Sequence, residues 1–182
     1  QAAPDAAAQA LARWLEGQGD AAGAVLVRQA ARACVLGHYG ELAGPVGERN
    51  LYALQPRGRV LAVAYSRSGL IAQLGAALSA GNRVAVLWQG AAPCDLAQAL
   101  ASRVEWLEGL PETGDFAAVL IEPGLADQAA ILRAIAEMEG QVPLVQLGDA
   151  QGQYRLDWLV AEQSISINTA AAGGNASLMA QV

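Results

Sequence analysis

Apolar positions recur along this chain in two rhythms. Ala7, Ala8, Leu11, Trp14 and Leu15 fall on one helical face, and the Gly17-Gln18-Gly19 stretch ends that helix. A second helix is predicted from near Asp20 through Val27, Ala31, Cys34 and Val35 to about Gly37. The texture then changes. Gly44, Pro45 and Gly47 mark a turn, residues 50–55 alternate like a strand, and Pro56-Arg57-Gly58 marks a second turn. Residues 60–64, Val-Leu-Ala-Val-Ala, form a continuous apolar run of strand length, as a buried parallel strand requires.

From there helix and strand alternate. A turn at residues 66–69 leads to a helical face of Leu70, Ile71, Leu74, Ala77 and Leu78 that ends at Gly81. Strands are predicted at 84–87, 104–107, 116–121 and 142–147. Helices are predicted at 95–101 and around Ile131, Leu132, Ile135 and Met138, the latter closed by Gly140. Short connections between alternating strands and helices predict an α/β fold: a Rossmann-like, mainly parallel sheet flanked by helices. The end departs from this order. Residues 154–160 and 163–168 read as consecutive strands with no helix between them, so an antiparallel β-flap is expected to project from the body, followed by a C-terminal tail. The predicted division is a helical lead-in and Rossmann-like domain over 1–150 and a flap with its terminal motif over 151–182, with strand 50–55 joining the flap.

The stretch after Gln163 is unusual. Ile165 and Ile167 alternate with Ser164, Ser166 and Asn168, and no charge occurs from Ser164 to Val182. Solvated tails are normally charged or proline-rich. This one is built to lie on another surface. Glycines allow close backbone approach, and flanking amides can satisfy exposed backbone groups. The candidate interaction residues are therefore Ile165, Ile167, Asn168, Thr169, Gly173, Gly174, Asn175, Ser177, Leu178 and Met179, with Trp158 placed on the flap.

Composition narrows the chemistry. The 182 residues carry a net charge of −6, which argues against a nucleic-acid surface or an anionic membrane surface. All 11 basic residues are arginine. The absence of lysine excludes a Schiff base, a P-loop lysine and a lysine general base. One histidine, His38, cannot build a His-based metal site, and no Cys/His cluster exists, so no metal is expected. Cys34 and Cys94 read as small structural hydrophobes, with Cys94 at a predicted helix start where a thiol can gain reactivity. No apolar stretch approaches the roughly 20 residues of a membrane span. There is no starting Met and no signal-peptide pattern, so the sequence reads as a cytoplasmic protein or a piece of a longer one.

Residues 47–52, Gly-Glu-Arg-Asn-Leu-Tyr, lead into Pro56-Arg57-Gly58, the apolar run 60–64, and then Ala76-Ala77-Leu78-Ser79-Ala80-Gly81-Asn82. This order resembles the coenzyme domain of aldehyde dehydrogenases. The lead-in and residues 168–179, Asn-Thr-Ala-Ala-Ala-Gly-Gly-Asn-Ala-Ser-Leu-Met, are similar to the C-terminal portion of long-form proline utilization A. The resemblance covers most of residues 44–182. It implies a parent that joins proline dehydrogenase to L-glutamate γ-semialdehyde dehydrogenase, with FAD and NAD as the parent's cofactors. It also implies a cytoplasmic setting, with peripheral attachment of the parent at the inner membrane as a variant.

Departures from the aldehyde dehydrogenase pattern set the functional expectation. Members usually carry, after the first strand, an Asn that helps hold the oxyanion, and such donors contribute roughly 10²–10³ in rate. Here residues 65–69 are Tyr-Ser-Arg-Ser-Gly. The coenzyme-ribose Lys would fall on Leu87. The phosphate-turn and general-base motifs are not found, nor is a domain bearing the nucleophilic cysteine. No catalytic, cofactor-binding or metal residue is therefore assigned. The resemblance implies a structural lid domain whose partner is the catalytic semialdehyde dehydrogenase domain of the same chain, with a homodimer through the flap also expected. The alternative is a vestigial or regulatory NAD(P)-binding module. The turn at 66–69 is the best-placed anion candidate, against its reading as a capped helix start with Ser66 or Ser68 as N-cap. The 17–23 stretch reads as an interhelical turn.

Overall fold

The computed structural model describes residues 6–90 and 104–168. Five parallel strands form the central sheet: β3 (Arg59–Ala64), β4 (Arg83–Trp88), β5 (Val104–Leu107), β7 (Phe116–Ile121) and β9 (Leu144–Leu147), in the order β5-β4-β3-β7-β9. Their side chains alternate between two cores. Val60, Ala62, Val86 and Leu120 face a layer built from α1 (Ala6–Gly17), α2 (Ala21–Ala33) and α3 (Arg67–Ser79). Leu61, Val63, Leu87 and Ile121 face α4 (Gln128–Glu137) through Ile131, Leu132 and Ile135. Burial on both sides explains why these strands are apolar without alternation. A two-residue ladder, β6 (Thr113–Gly114) with β8 (Glu139–Gly140), lies beside the main sheet.

Helix α3 is the centre of its layer and is buried along most of its length. Ser66 caps it by accepting from the Gly69 N–H at 3.0 Å. Gly75 lets α2 come close, since a Cβ there would press on Val27 at 3.3 Å. Asp20 caps α2 by accepting from the Gly23 N–H at 2.8 Å and also pairs with Arg67 at the start of α3. The Gly23 N–H first, and then the Arg67 guanidinium, hold the Asp20 carboxyl below its ordinary pKa.

A second, antiparallel sheet joins β1 (Tyr39–Leu42), β2 (Glu48–Pro56) and β10 (Val160–Asn168), with β2 in the middle. Pairing runs from Val160 opposite Pro56 to Asn168 opposite Glu48. Two sequence expectations change here. Residues 154–160 are not a strand: Leu156–Leu159 form a turn of 3-10 helix that leads into β10. Tyr154, Leu156, Trp158 and Val160 mimic a period-2 pattern, but Leu159 is the residue buried at 0%. The second helix ends at Ala33, four residues early, and β1 is an additional strand that His38 directly precedes.

Asn82 fastens the flap to the body. It is 1% exposed, accepts from the Gly58 N–H at 2.9 Å and donates to the Leu159 carbonyl at 2.8 Å. The Arg57 N–H donates to the same carbonyl at 3.2 Å. One amide thus ties the β2–β3 turn to the root of β10. Replacing Asn82 with Ala leaves the Gly58 N–H without its acceptor and the Leu159 carbonyl with the Arg57 N–H alone, so the unfolding free energy should fall by about 1–3 kcal/mol. Urea denaturation measures it; a loss below about 0.5 kcal/mol would show that the clamp is not structural.

Candidate functional site

In an open parallel sheet, ligands bind at the carboxyl ends of the strands where the order reverses. Here the chain moves outward from β3 to β4 and β5, then returns to β7 on the other side of β3, so the reversal lies between β3 and β7. That crevice is occupied from within. Glu122, the first residue after β7, is 6% exposed. Its Oε2 accepts from the Tyr65 N–H at 2.8 Å and the Ser66 N–H at 2.9 Å. Its Oε1 accepts from the Ser66 hydroxyl. The carboxylate therefore sits at the amino end of α3, where backbone donors and the helix dipole favour an anion. Gly69 is required by this arrangement, because a Cβ there would collide with the Glu122 carboxylate.

Below the carboxylate the crevice is packed. Gln73 is fully buried, and its Nε2 lies 2.9 Å from the Val63 carbonyl, 3.2 Å from the Leu120 carbonyl and 3.0 Å from the Tyr154 hydroxyl. The Tyr154 hydroxyl donates to the Ile121 carbonyl at 3.1 Å. Burial pushes the Tyr154 phenol up to about 12. Tyr65 lies across the top, its hydroxyl donating to the Pro123 carbonyl at 3.1 Å. Beside the crevice is a cavity of about 280 Å³ lined by Ser68, Gly69, Glu122, Asp149 and Tyr154 among others. Its charged lining is two carboxylates, which repel a phosphate. Leu87, at the position matching the coenzyme-ribose Lys, is 4% exposed inside the α4-side core. Among the described residues no group of three His, Cys, Asp or Glu side chains could hold a metal ion.

The predicted interaction residues that fall in the described part gather on the flap. Ile165 and Ile167 are 46% and 40% exposed on β10. By register they share a face with Leu51, Ala53 and Tyr39. The opposite face carries Tyr52, Ser164, Ser166 and Asn50, with the Ser166 hydroxyl donating to Asn50 Oδ1 at 2.5 Å. Asn168 ends β10 opposite Glu48. Trp158 is on the 3-10 turn, not on a strand, with the Arg155 guanidinium over its ring at 4.8 Å. Thr169, Gly173, Gly174, Asn175, Ser177, Leu178 and Met179 lie outside the described residues, as do Cys94 and the predicted helix at 95–101.

No family model matches the chain. Curated proteins do. Over 178 residues, 93% of its length, it is 45% identical to the bifunctional protein PutA of Rhizobium meliloti. Over 158 residues, 78% of its length, it is 40% identical to bifunctional protein PutA of Escherichia coli K12. The chain is homologous to PutA. It spans only 14% and 12% of those two PutA proteins. Among solved structures, a mutant proline utilization A of Bradyrhizobium japonicum aligns with TM-score 0.62 and 21% identity, covering 80% of this chain and 19% of that one. A 3,6-anhydro-L-galactose dehydrogenase in complex with NAP aligns with TM-score 0.58 and 17% identity, covering 81% of this chain and 40% of that one. These likenesses establish the fold: a mixed α/β body of the aldehyde dehydrogenase type with a parallel five-stranded sheet and an antiparallel sheet.

Its burial and its three hydrogen bonds make Glu122 the most telling residue of the site, and sequence reasoning did not single it out. A signal exists. Residues 116–121 are all apolar, and a lone carboxylate then precedes Pro123-Gly124 at the carboxyl end of a buried strand. Of the two expected caps, Ser66 and Ser68, the cap is Ser66, and its pairing with a second partner, Glu122, has no local signal. Replacing Glu122 with Ala removes the acceptor of two part-buried backbone donors and should cost about 2 kcal/mol, while Gln, which keeps one carbonyl oxygen, should cost less. Thermal and urea unfolding measure both. Equal stability of the Ala variant and the parent would overturn the closure of the crevice by Glu122.

Proposed function

We propose that this chain is a non-catalytic structural domain of a PutA-type bifunctional enzyme. In this reading the parent oxidises proline to glutamate, with FAD in its proline dehydrogenase and NAD in its L-glutamate γ-semialdehyde dehydrogenase. The flap, with the tail that follows it, covers the semialdehyde dehydrogenase site and helps seal the passage taken by the intermediate. The observation that carries the reading is the distribution of surfaces. The ligand crevice of the α/β body is filled by Glu122, whereas Ile165, Ile167 and Tyr39 stand exposed on the projecting sheet. A lid works by excluding water and limiting escape, which needs backbone donors and small apolar side chains and no acid–base chemistry.

The alternative is an NAD(P)-binding module. The likeness to the dehydrogenase in complex with NAP favours it at the level of fold. The chain's own residues oppose it: there is no lysine, Leu87 is buried, and Glu122 and Asp149 line the cavity beside the crevice.

Removing residues 165–182 from the full-length protein separates the two. The lid reading expects impaired semialdehyde oxidation and a lag in coupled turnover, with proline oxidation largely spared; unchanged coupled kinetics would refute it. Calorimetric titration of the chain with NAD should show no saturable binding at micromolar concentration, and saturable binding would favour the module.

The same surface bears on self-association. Among the described residues β10 pairs with β2 alone, and an exposed strand edge recruits other strands. In the isolated chain this edge pairs with that of a second copy, giving a dimer by light scattering. A clean monomer at high concentration counts against this pairing.

A further inference from the structure

At the end of the parallel sheet opposite Glu122, Arg57, Arg59 and Arg83 line a single cavity of about 480 Å³ with Asp115 and Gln141. Three guanidiniums around one carboxylate make a local positive site on a chain whose net charge is −6. Arg59 is already committed. Its Nη1 donates to Asp115 at 2.7 Å, its Nη2 donates to Glu105 at 2.6 Å, and its guanidinium lies 4.6 Å from the centre of the Phe116 ring. Arg83 stands directly opposite Arg59 in the β3–β4 ladder. Like charges so placed repel unless something neutralises them. Both neighbouring carboxylates, Asp115 and Glu105, are hydrogen-bonded to Arg59, and the charge of Arg83 also helps hold the Asp115 carboxyl below its ordinary pKa.

Arg57 adds a second observation. Its Nε is buried with no hydrogen-bond acceptor. A buried donor without a partner is rare in native proteins, and this one, shielded from solvent, does not itself face the open cavity. Its backbone is fixed by the N–H bond to Leu159, and the next residue is held by Asn82. The side chain therefore starts from a pinned position. The carboxyl end of α3, at Ala80 and Gly81 beside the cavity, favours one cation by its dipole, and three exceed that need.

We propose that this cavity binds an oxyanion, a carboxylate or a phosphate, between Arg57 and Arg83. The planar fork of arginine matches both groups. The carboxylate can come from an acidic side chain of a longer PutA-type chain, of which these residues span a small share, and the phosphate from a free small molecule. Arg59 stays with its own carboxylates and shapes the wall.

The test titrates the 182-residue chain with sodium phosphate and, separately, with sodium glutarate, against sodium chloride at matched ionic strength. Calorimetry and thermal melting are the readouts. At least one oxyanion should bind saturably and raise the melting temperature, and chloride should not. Arg57→Gln and Arg83→Gln should each weaken binding about tenfold, while Arg13→Gln on exposed α1 should leave it unchanged. Arg83 is exposed, so its variant keeps the fold, which melting in chloride verifies. Arg83→Lys keeps the charge, loses the fork, and should fall between. Tighter glutarate binding assigns the site to an acidic side chain; tighter phosphate binding assigns it to a free phosphate. Melting that follows ionic strength alone, or binding that survives both Gln substitutions, overturns the proposal.

Discussion

The Glu122 carboxylate is the constraint around which the α/β body is arranged. It bridges the carboxyl ends of β3 and β7 by accepting from two consecutive backbone donors and from the helix cap. These donors exist because α3 begins there, and the first turn of any helix leaves N–H groups unpaired. In a ligand-binding relative of this fold such donors face the ligand. Here the chain supplies its own anion, and Gly69 keeps the room for it. The sheet is thereby closed at its most ligand-prone point by an interaction between residues 56 positions apart.

The rest of the molecule divides its labour accordingly. Small residues on α2 and α3 let the helices lie close, and the two cores hold the sheet flat against its layers. Polar side chains do the joining. Gln73 and Tyr154 tie α3 to the ends of β3 and β7, and Asn82 ties the flap root to the β2–β3 turn. Of the 11 exposed large apolar side chains among the described residues, four, Tyr39, Leu42, Ile165 and Ile167, lie on the antiparallel sheet. Such an allocation suits a domain whose contacts are made by its projection.

Much of this was legible in the sequence. Residues 60–64, 84–87 and 116–121 are apolar throughout, and only strands buried on both faces need that composition. The Ser66 cap followed from a hydroxyl placed before an apolar helical face. Other parts were illegible for physical reasons. Strand β1, Tyr-Gly-Glu-Leu, has no alternation to read and forms because β2 offers it a ladder. The 3-10 turn at Leu156–Leu159 imitated a strand, because three apolar residues spaced by two fit either form until burial selects Leu159. Glu122 satisfies backbone groups contributed by a distant turn, and no local pattern records such a partner. The exposed isoleucines of β10 were evident from alternation alone. The positions beyond Asn168 that completed that expectation lie outside the described residues.

The flap also has a mechanical character. Its nine-residue strand β10 reaches about 30 Å at the usual rise per residue, and its base is held by Asn82 on the Leu159 carbonyl and by Leu159 and Val160 buried in the core. It is a lever with a short fulcrum. Its root lies at the start of β3, at the amino ends of the parallel strands and next to the three arginines, and the 3-10 turn that precedes it leads back to Tyr154 in the crevice beneath Glu122. The flap root is thus joined to both ends of the sheet, through Asn82 at one and Tyr154 at the other.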